Sequence, residues 1–376
     1  MIYLDHNATV ALRAEARAAM DALAARQPGN PSSAHAAGRV ARAALEQARR
    51  AIAERLEVRA SELVFTSGGT ESNNLALLGA LPDPCGAHVV ASPIEHSSVL
   101  GPLYELERRG ATLSWLAVDG EGRISPDALG AALRPETALV SVGWANNEIG
   151  TVQPIAALAA LCRARGVLLH VDAVQGLGKL PLQLADIDLC TLSAHKVGGP
   201  VGVGALVVRR GVGLRPLAWG GEQERGTRPG TENVFGAVGF AAALAAGQGD
   251  AQSIARLREC LWAGMADTSG VRRYSPLRDC LANTLSAGFA GLRGEALVAG
   301  LDLEGVAVSV GSACAAGSGE PSHVLRAIGC DEAAAAAGVR FSLGAQTTEL
   351  EIDTAAAALR RVVERMRSAG GRAVVG

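Results

Sequence analysis

Lysine is almost missing from this sequence: of its 35 basic residues only Lys179 and Lys196 are lysines. Arginine takes every other place, yet a guanidinium stays protonated and cannot serve as an amine nucleophile. Two lysines kept within one short stretch are therefore candidates for chemistry. Net charge is low as well, with 35 basic residues against 37 acidic ones giving −2. A balance so close to neutral excludes long-range attraction to nucleic acid or an acidic membrane and favours a small-molecule substrate. The seven cysteines (Cys85, Cys162, Cys190, Cys260, Cys280, Cys314, Cys330) contain no CxxC pair and no His/Cys cluster. That fits neither a disulfide framework nor a structural zinc site, and most of them read as small buried hydrophobes. The start, MIYLDHNATV, has neither a basic n-region nor a long apolar run, and no apolar stretch reaches about 18 residues. A cytoplasmic protein is expected.

What is present is apolar and periodic. With 376 residues, 49% of them hydrophobic, the chain can bury a large core. Runs such as ELVFTS, AHVVAS, ALVSVG, VLLHVD and DLCTLSA alternate with helical patterns beginning near Glu71, at Ser97 and at Ile155. This is the rhythm of a parallel α/β sheet. GRVARAALEQARRAIAERLEV predicts an amphipathic surface helix with its arginines on the solvent side. After GVGALVVRR the character changes, and a Gly, Arg and Glu-rich loop (Gly220 to Thr231) leads to an Ala-rich helix. The predicted division is a large domain over 15–250 and a smaller α/β domain made of 1–14 and 251–376.

Three motifs carry chemistry. In TSGGTESNN (Thr66 to Asn74), between a strand and a helix, glycines and a helix start offer N–H groups to an oxyanion, and Thr70 adds a hydroxyl. The alternative is a plain strand-to-helix turn; the absence of GxxxxGK[ST] and GxGxxG argues against nucleotides. In VDAVQ, Asp172 ends an apolar strand, where acids of parallel sheets face the ligand crevice or cap a loop. Such a carboxylate can pair with a ring nitrogen and keep it protonated. In SAHK, Lys196 follows a strand and precedes a glycine-rich run, a setting that lowers an amine's pKa and lets it condense with an aldehyde. Lys179, in GLGKLPL, is the competitor and is expected to be exposed.

Phosphate cradle, strand-end acid and amine, in that order, suit a pyridoxal-phosphate enzyme of the aspartate-aminotransferase fold. With YLDHNAT, GNPSSAH, EHSSV, ANNEIG, RPGTEN, GSACAAGSGEPSHVLRAIG and RFSLG added, the chain resembles cysteine desulfurases of the nitrogen-fixation and iron–sulfur-cluster type. These form a branch of the class V aminotransferase family, and the resemblance spans nearly the whole length. It implies pyridoxal 5'-phosphate as cofactor, L-cysteine as substrate and L-alanine as product. Lys196 would carry the cofactor; Gly69, Thr70, Ser193 and His195 would hold its phosphate, with Thr231 reaching in from the partner of a homodimer. Asp172 would pair with the ring nitrogen and Gln175 with the ring oxygen. His96 would stack on the ring and act as acid and base. Asn147 would lie between cofactor and substrate, and Arg340 would clamp the substrate carboxylate through two hydrogen bonds.

Cys314, set among small residues in SVGSAC, would receive the sulfur as a persulfide and pass it to an acceptor protein for iron–sulfur cluster, thio-cofactor or tRNA assembly. No resident metal is implied, although Cys314 could transiently ligate an iron–sulfur cluster. A selenocysteine lyase or an aminotransferase would share Lys196 and Asp172 without needing Cys314.

Overall fold

A computed structural model describes residues 1–311 and 320–372. The chain opens with a short strand β1 (Ile2–Tyr3), then helices α1 (Ala14–Ala24) and α2 (Ala36–Arg55). Strands and helices then alternate: β2 (Leu63–Thr66), α3 (Gly69–Ala80), β3 (His88–Ala91), α4 (Ser97–Arg108) and β4 (Thr112–Trp115). The alternation continues through α5 (Pro126–Ala132), β5 (Thr137–Gly143), α6 (Ile155–Arg165) and β6 (Leu168–Asp172). With β7 (Leu189–Ser193) and β8 (Gly204–Val208) these strands form one seven-stranded sheet in the order β2, β8, β7, β6, β5, β3, β4. Only β8 runs against its neighbours. Helices on both faces explain why β6 and β7 are nearly continuous apolar runs rather than alternating ones.

Helix α7 (Val234–Ala245) packs on α1 and α2. Beyond it come α8 (Ala251–Ala266), β9 (Val271–Arg273), β10 (Thr284–Phe289), α9 (Gly294–Leu303) and β11 (Val306–Ala307). Last are α10 (His323–Ala327), α11 (Glu332–Ala336), β12 (Gly338–Ser342) and α12 (Glu349–Arg372). Here β12, β10 and β9 make an antiparallel sheet, while β1 pairs in parallel with β11. The architecture is the α/β one that the sequence pattern predicts, a mostly parallel sheet beside a smaller mixed part. One core joins residues of the large sheet with Leu23, Leu45 and Phe240; a second joins Phe289, Phe341 and Leu359. Leu4, from the start of the chain, is buried in the second core.

Two expectations change. Helix α3 begins at Gly69 rather than near Glu71, so Gly69 and Thr70 form its first turn. On α2, Arg49 does not face solvent: it is 3% exposed and its guanidinium pairs with Glu224 through two contacts of 2.7 Å. The loop 222–226 reaches down to it, and Glu224 also accepts from the Phe65 amide of β2 at 3.0 Å. A helical wheel cannot foresee a carboxylate delivered from 175 residues away.

Candidate active site

Parallel strands end together at their carboxyl edge, and the loops that follow them open a crevice. Here the crevice is a cavity of about 220 Å³ of water-accessible space, lined from the ends of β5, β6 and β7, the start of α3, the N-terminal segment and β12. Gly69, Thr70, His96, Asn147, Asp172, Gln175, Ser193, His195, Lys196 and Arg340 all line it. Thr231 does not; it is exposed on the loop before α7. Cys314 lies outside the described residues.

Asp172 closes β6. One of its carboxylate oxygens accepts from the Val174 amide at 2.9 Å and the other from Asn73 Nδ2 at 2.8 Å. Asn73, fully buried on α3, also donates to Ser98 Oγ at 2.8 Å, and Ser98 Oγ meets His96 Nδ1 at 2.7 Å. A hydrogen-bonded chain therefore runs from the strand-end acid to the imidazole that caps α4. Burial lowers the pKa of His96, opposed by the Asp172 charge, so the ring is held ready to accept a proton. Next to it Glu95 is buried and donated to by the Gly143 amide at 2.9 Å. Burial, opposed by that amide and reinforced by Asp172, pushes its carboxyl up to about 8.

Lys196 follows β7 in a single 3₁₀ turn, and its Nζ donates to the carbonyls of Asn7 at 2.6 Å and Ala8 at 2.8 Å. His195 meets Thr9 Oγ1 at 3.2 Å, and burial, followed by the Lys196 charge, lowers it to about 4. Arg340, 1% exposed, donates to Asp5 at 2.5 Å and to the Asn147 carbonyl at 3.1 Å, while its Nε is left without a partner.

Lys179 is the chief correction. It is not exposed in a loop: its Nζ donates to Gln175 Oε1 at 2.8 Å and to Asn7 Oδ1 at 3.0 Å. The cause is local. Residues 173–180 coil into helix-like turns closed by Leu177 N–H to Ala173 O at 2.8 Å and Leu180 N–H to Gly176 O at 2.9 Å. That coil puts Gln175 and Lys179, four residues apart, on one inward face. The cysteines differ in part too: Cys162, Cys190 and Cys330 are buried, but Cys85 and Cys260 are exposed.

Asn7, Asn73 and Glu95 were given no role by the motif reading, and Lys179 entered it only as the competitor of Lys196. Asn7, Asn73 and Glu95 had one signal, their place inside the quoted YLDHNAT, TSGGTESNN and EHSSV segments.

An anionic cofactor fits the cavity. Ser193 Oγ is buried with no partner, beside the start of α3 at Gly69, where a Cβ would crowd Val174. A phosphate at that end would meet a hydroxyl, free amides and the positive end of the helix dipole. A phosphate end, a strand-end acid and an amine in one cavity define a pyridoxal-phosphate enzyme.

Comparison with known proteins agrees. The family model described as aminotransferase class-V matches residues 2–354. A cysteine desulfurase of Cereibacter sphaeroides is 46% identical over 98% of this chain and 97% of its own length. The cysteine desulfurase IscS of Dictyoglomus turgidum is 41% identical over 98% of this chain and 95% of its own. Among solved structures, a NifS-like protein superposes with a TM-score of 0.88 at 36% identity, covering 97% of this chain and 99% of that one. The chain belongs to the class-V aminotransferase family and, within it, to the cysteine desulfurases, which use pyridoxal phosphate.

Proposed function

We propose that the chain takes sulfur from L-cysteine, releases L-alanine, and carries the sulfur as a persulfide on Cys314. The observation that supports this most is the convergence of Lys196, Asp172 and the unpartnered Ser193 hydroxyl on one cavity. A further solved neighbour, titled SspA in complex with cysteine, is 34% identical over 93% of this chain with a TM-score of 0.83.

In this reading Gly69, Thr70, Ser193 and His195 bind the phosphate, Asp172 faces the ring nitrogen, Gln175 donates to the ring oxygen, and Lys196 holds the cofactor. Pyridoxal phosphate supplies the electron sink that weakens the bonds at the substrate's α-carbon. Lys196 moves the α-proton. His96, neutral because it is buried, takes the substrate thiol proton. Arg340 binds the substrate carboxylate, using the Nε that lacks a partner, and Asn147 lies beside it. Cys314 attacks as the thiolate: a sulfur–sulfur bond forms, the carbon–sulfur bond breaks, and the electron pair stays with the carbon fragment until a proton is returned. Cys162 and Cys280 are poorly suited as nucleophiles, because burial pushes their thiols up to about 12 and about 11.

We read the active unit as a homodimer. Thr231 sits on an exposed loop that also carries exposed Leu217 and Trp219, with Phe235 exposed just beyond it. That is apolar surface of the kind an interface covers. We read residues 15–250 and 1–14 with 251–376 as its two domains, the location as cytoplasmic, where thiols stay reduced, and the final partner as a sulfur-acceptor protein. Among the described residues no helix is long and apolar enough to cross a membrane.

The test is mass spectrometry after brief exposure to L-cysteine, with one added sulfur expected on the peptide that contains Cys314. Cys314→Ser should still bind cysteine and change the visible spectrum but release no sulfide. Alanine and sulfide at the wild-type rate from that variant would reject the assignment.

A further inference from the structure

Both lysines of the chain end on one asparagine. Lys196 Nζ donates to the backbone carbonyl of Asn7 at 2.6 Å, and Lys179 Nζ donates to the Asn7 side-chain oxygen at 3.0 Å. Asn7 is 1% exposed and cannot turn away. Its Nδ2 is held by Thr284 Oγ1 at 2.9 Å and by the Asn147 carbonyl at 3.1 Å, and its backbone amide by Ser342 Oγ at 2.9 Å. Gln175 closes the ring: its Oε1 takes the second Lys179 bond at 2.8 Å, and its Nε2 donates to the Asn7 carbonyl at 3.0 Å.

This geometry has two effects. The Lys179 ammonium on Gln175 Oε1 and the Asn7 carbonyl on its Nε2 fix which way the Gln175 amide is turned and leave its second N–H to be donated. Gln175 therefore faces the cavity as a donor. The ring also holds a second cation close to Lys196 in a place with little water, where like charges interact strongly. The charged and titratable groups facing Lys179 are Lys196 beyond β7, Arg340 from β12 and His6 from the N-terminal segment.

We propose that Lys179 is a positioning residue of the site: through Gln175 and Asn7 it orients the groups around Lys196, and its charge lowers the proton affinity of the Lys196 nitrogen. The inference rests on the reading that Lys196 carries the cofactor. Supporting it, burial first, then Lys196 and Arg340, lowers Lys179 to about 7. The charge–charge part of that depression is mutual, so what Lys196 exerts on Lys179 it receives in return, while the part due to burial belongs to Lys179 alone.

The experiment is a pH titration of the visible absorption of the cofactor-loaded protein. Lys179→Met should keep the visible band and raise the midpoint by about half a unit or more, a roughly threefold gain in proton affinity. Lys179→Arg, which restores the charge, should bring the midpoint back toward wild type. A Lys179→Met midpoint equal to that of wild type overturns the proposal. Loss of the band in Lys179→Met, with Lys196→Ala retaining it, would instead overturn the cofactor assignment.

A second measurement needs no change at Lys179. Isotope-labelled lysine gives two side-chain signals in the nuclear magnetic resonance spectrum, one for each lysine of the chain. The Lys179 signal should titrate well below the usual lysine range and move upward in Lys196→Ala. A Lys179 signal that titrates as an ordinary exposed lysine, or ignores Lys196→Ala, overturns the coupling.

Discussion

The two ends of the cavity are built on opposite plans. At the Asn7 end the asparagine's carbonyl and side-chain amide, Gln175 and both lysine ammoniums bond to one another within the chain. At the α3 end Ser193 Oγ is buried with no partner, and Asn73 Oδ1 nearby is likewise unmatched. An unmatched buried polar atom costs about 1–3 kcal/mol, so it persists where a ligand supplies the partner. The closed end is bonded within the chain; the open end keeps hydrogen-bonding capacity that, in the proposed reading, would meet the phosphate.

Four substitutions sharpen or break that contrast. Asp172→Asn sits between the two ends and removes the charge while keeping the shape; turnover should fall on the order of 100-fold to 1000-fold with the fold intact. Near-normal turnover would mean that another group serves the ring nitrogen. Asn7→Ala strikes the closed end and strands several buried partners. The cofactor-free protein should lose about 2–4 kcal/mol in denaturant unfolding, and a cofactor-dependent loss alone would contradict the closed network. Ser193→Ala strikes the open end. Equilibrium binding of pyridoxal phosphate should weaken by about tenfold, while stability of the cofactor-free protein stays level or rises. A stability loss there would show that the hydroxyl serves the fold.

Glu95→Gln has the most pH-dependent effect. The folded chain raises this carboxyl to about 8, so it stays protonated over a range in which the unfolded chain has already ionised. Its contribution to stability is complete below the ordinary carboxylate pKa and is lost as pH rises through the folded value. Thermal unfolding of wild type should therefore decline more than that of Glu95→Gln between about pH 5 and about pH 8. Parallel declines would mean that Glu95 ionises normally.

Much of the cavity's lining was legible because its sequence signals are local. Lys196 stood out through scarcity, Asp172 by ending an apolar strand, Gly69 and Thr70 by lying between strand and helix. Lys179 was misread for a physical reason. Its partner Gln175 is near in sequence but shares its face only because the turn coils, and Asn7 comes from 172 residues away. Asn73 gave no outward sign of its bond to Asp172, which spans 99 residues. Arg49 followed the polar side of a helical pattern and still ended buried on Glu224.

By itself the sequence determined the alternation of strands and helices, the family and the order of glycine-led helix start, strand-end acid and lysine, because periodicity and motif spacing are properties of neighbouring residues. Only the tertiary structure decided which lysine stands beside which asparagine, which hydroxyl is left without a partner, and which histidine and carboxyl are shifted. Those depend on burial and on groups brought together from distant segments, and neither quantity exists until the chain has folded.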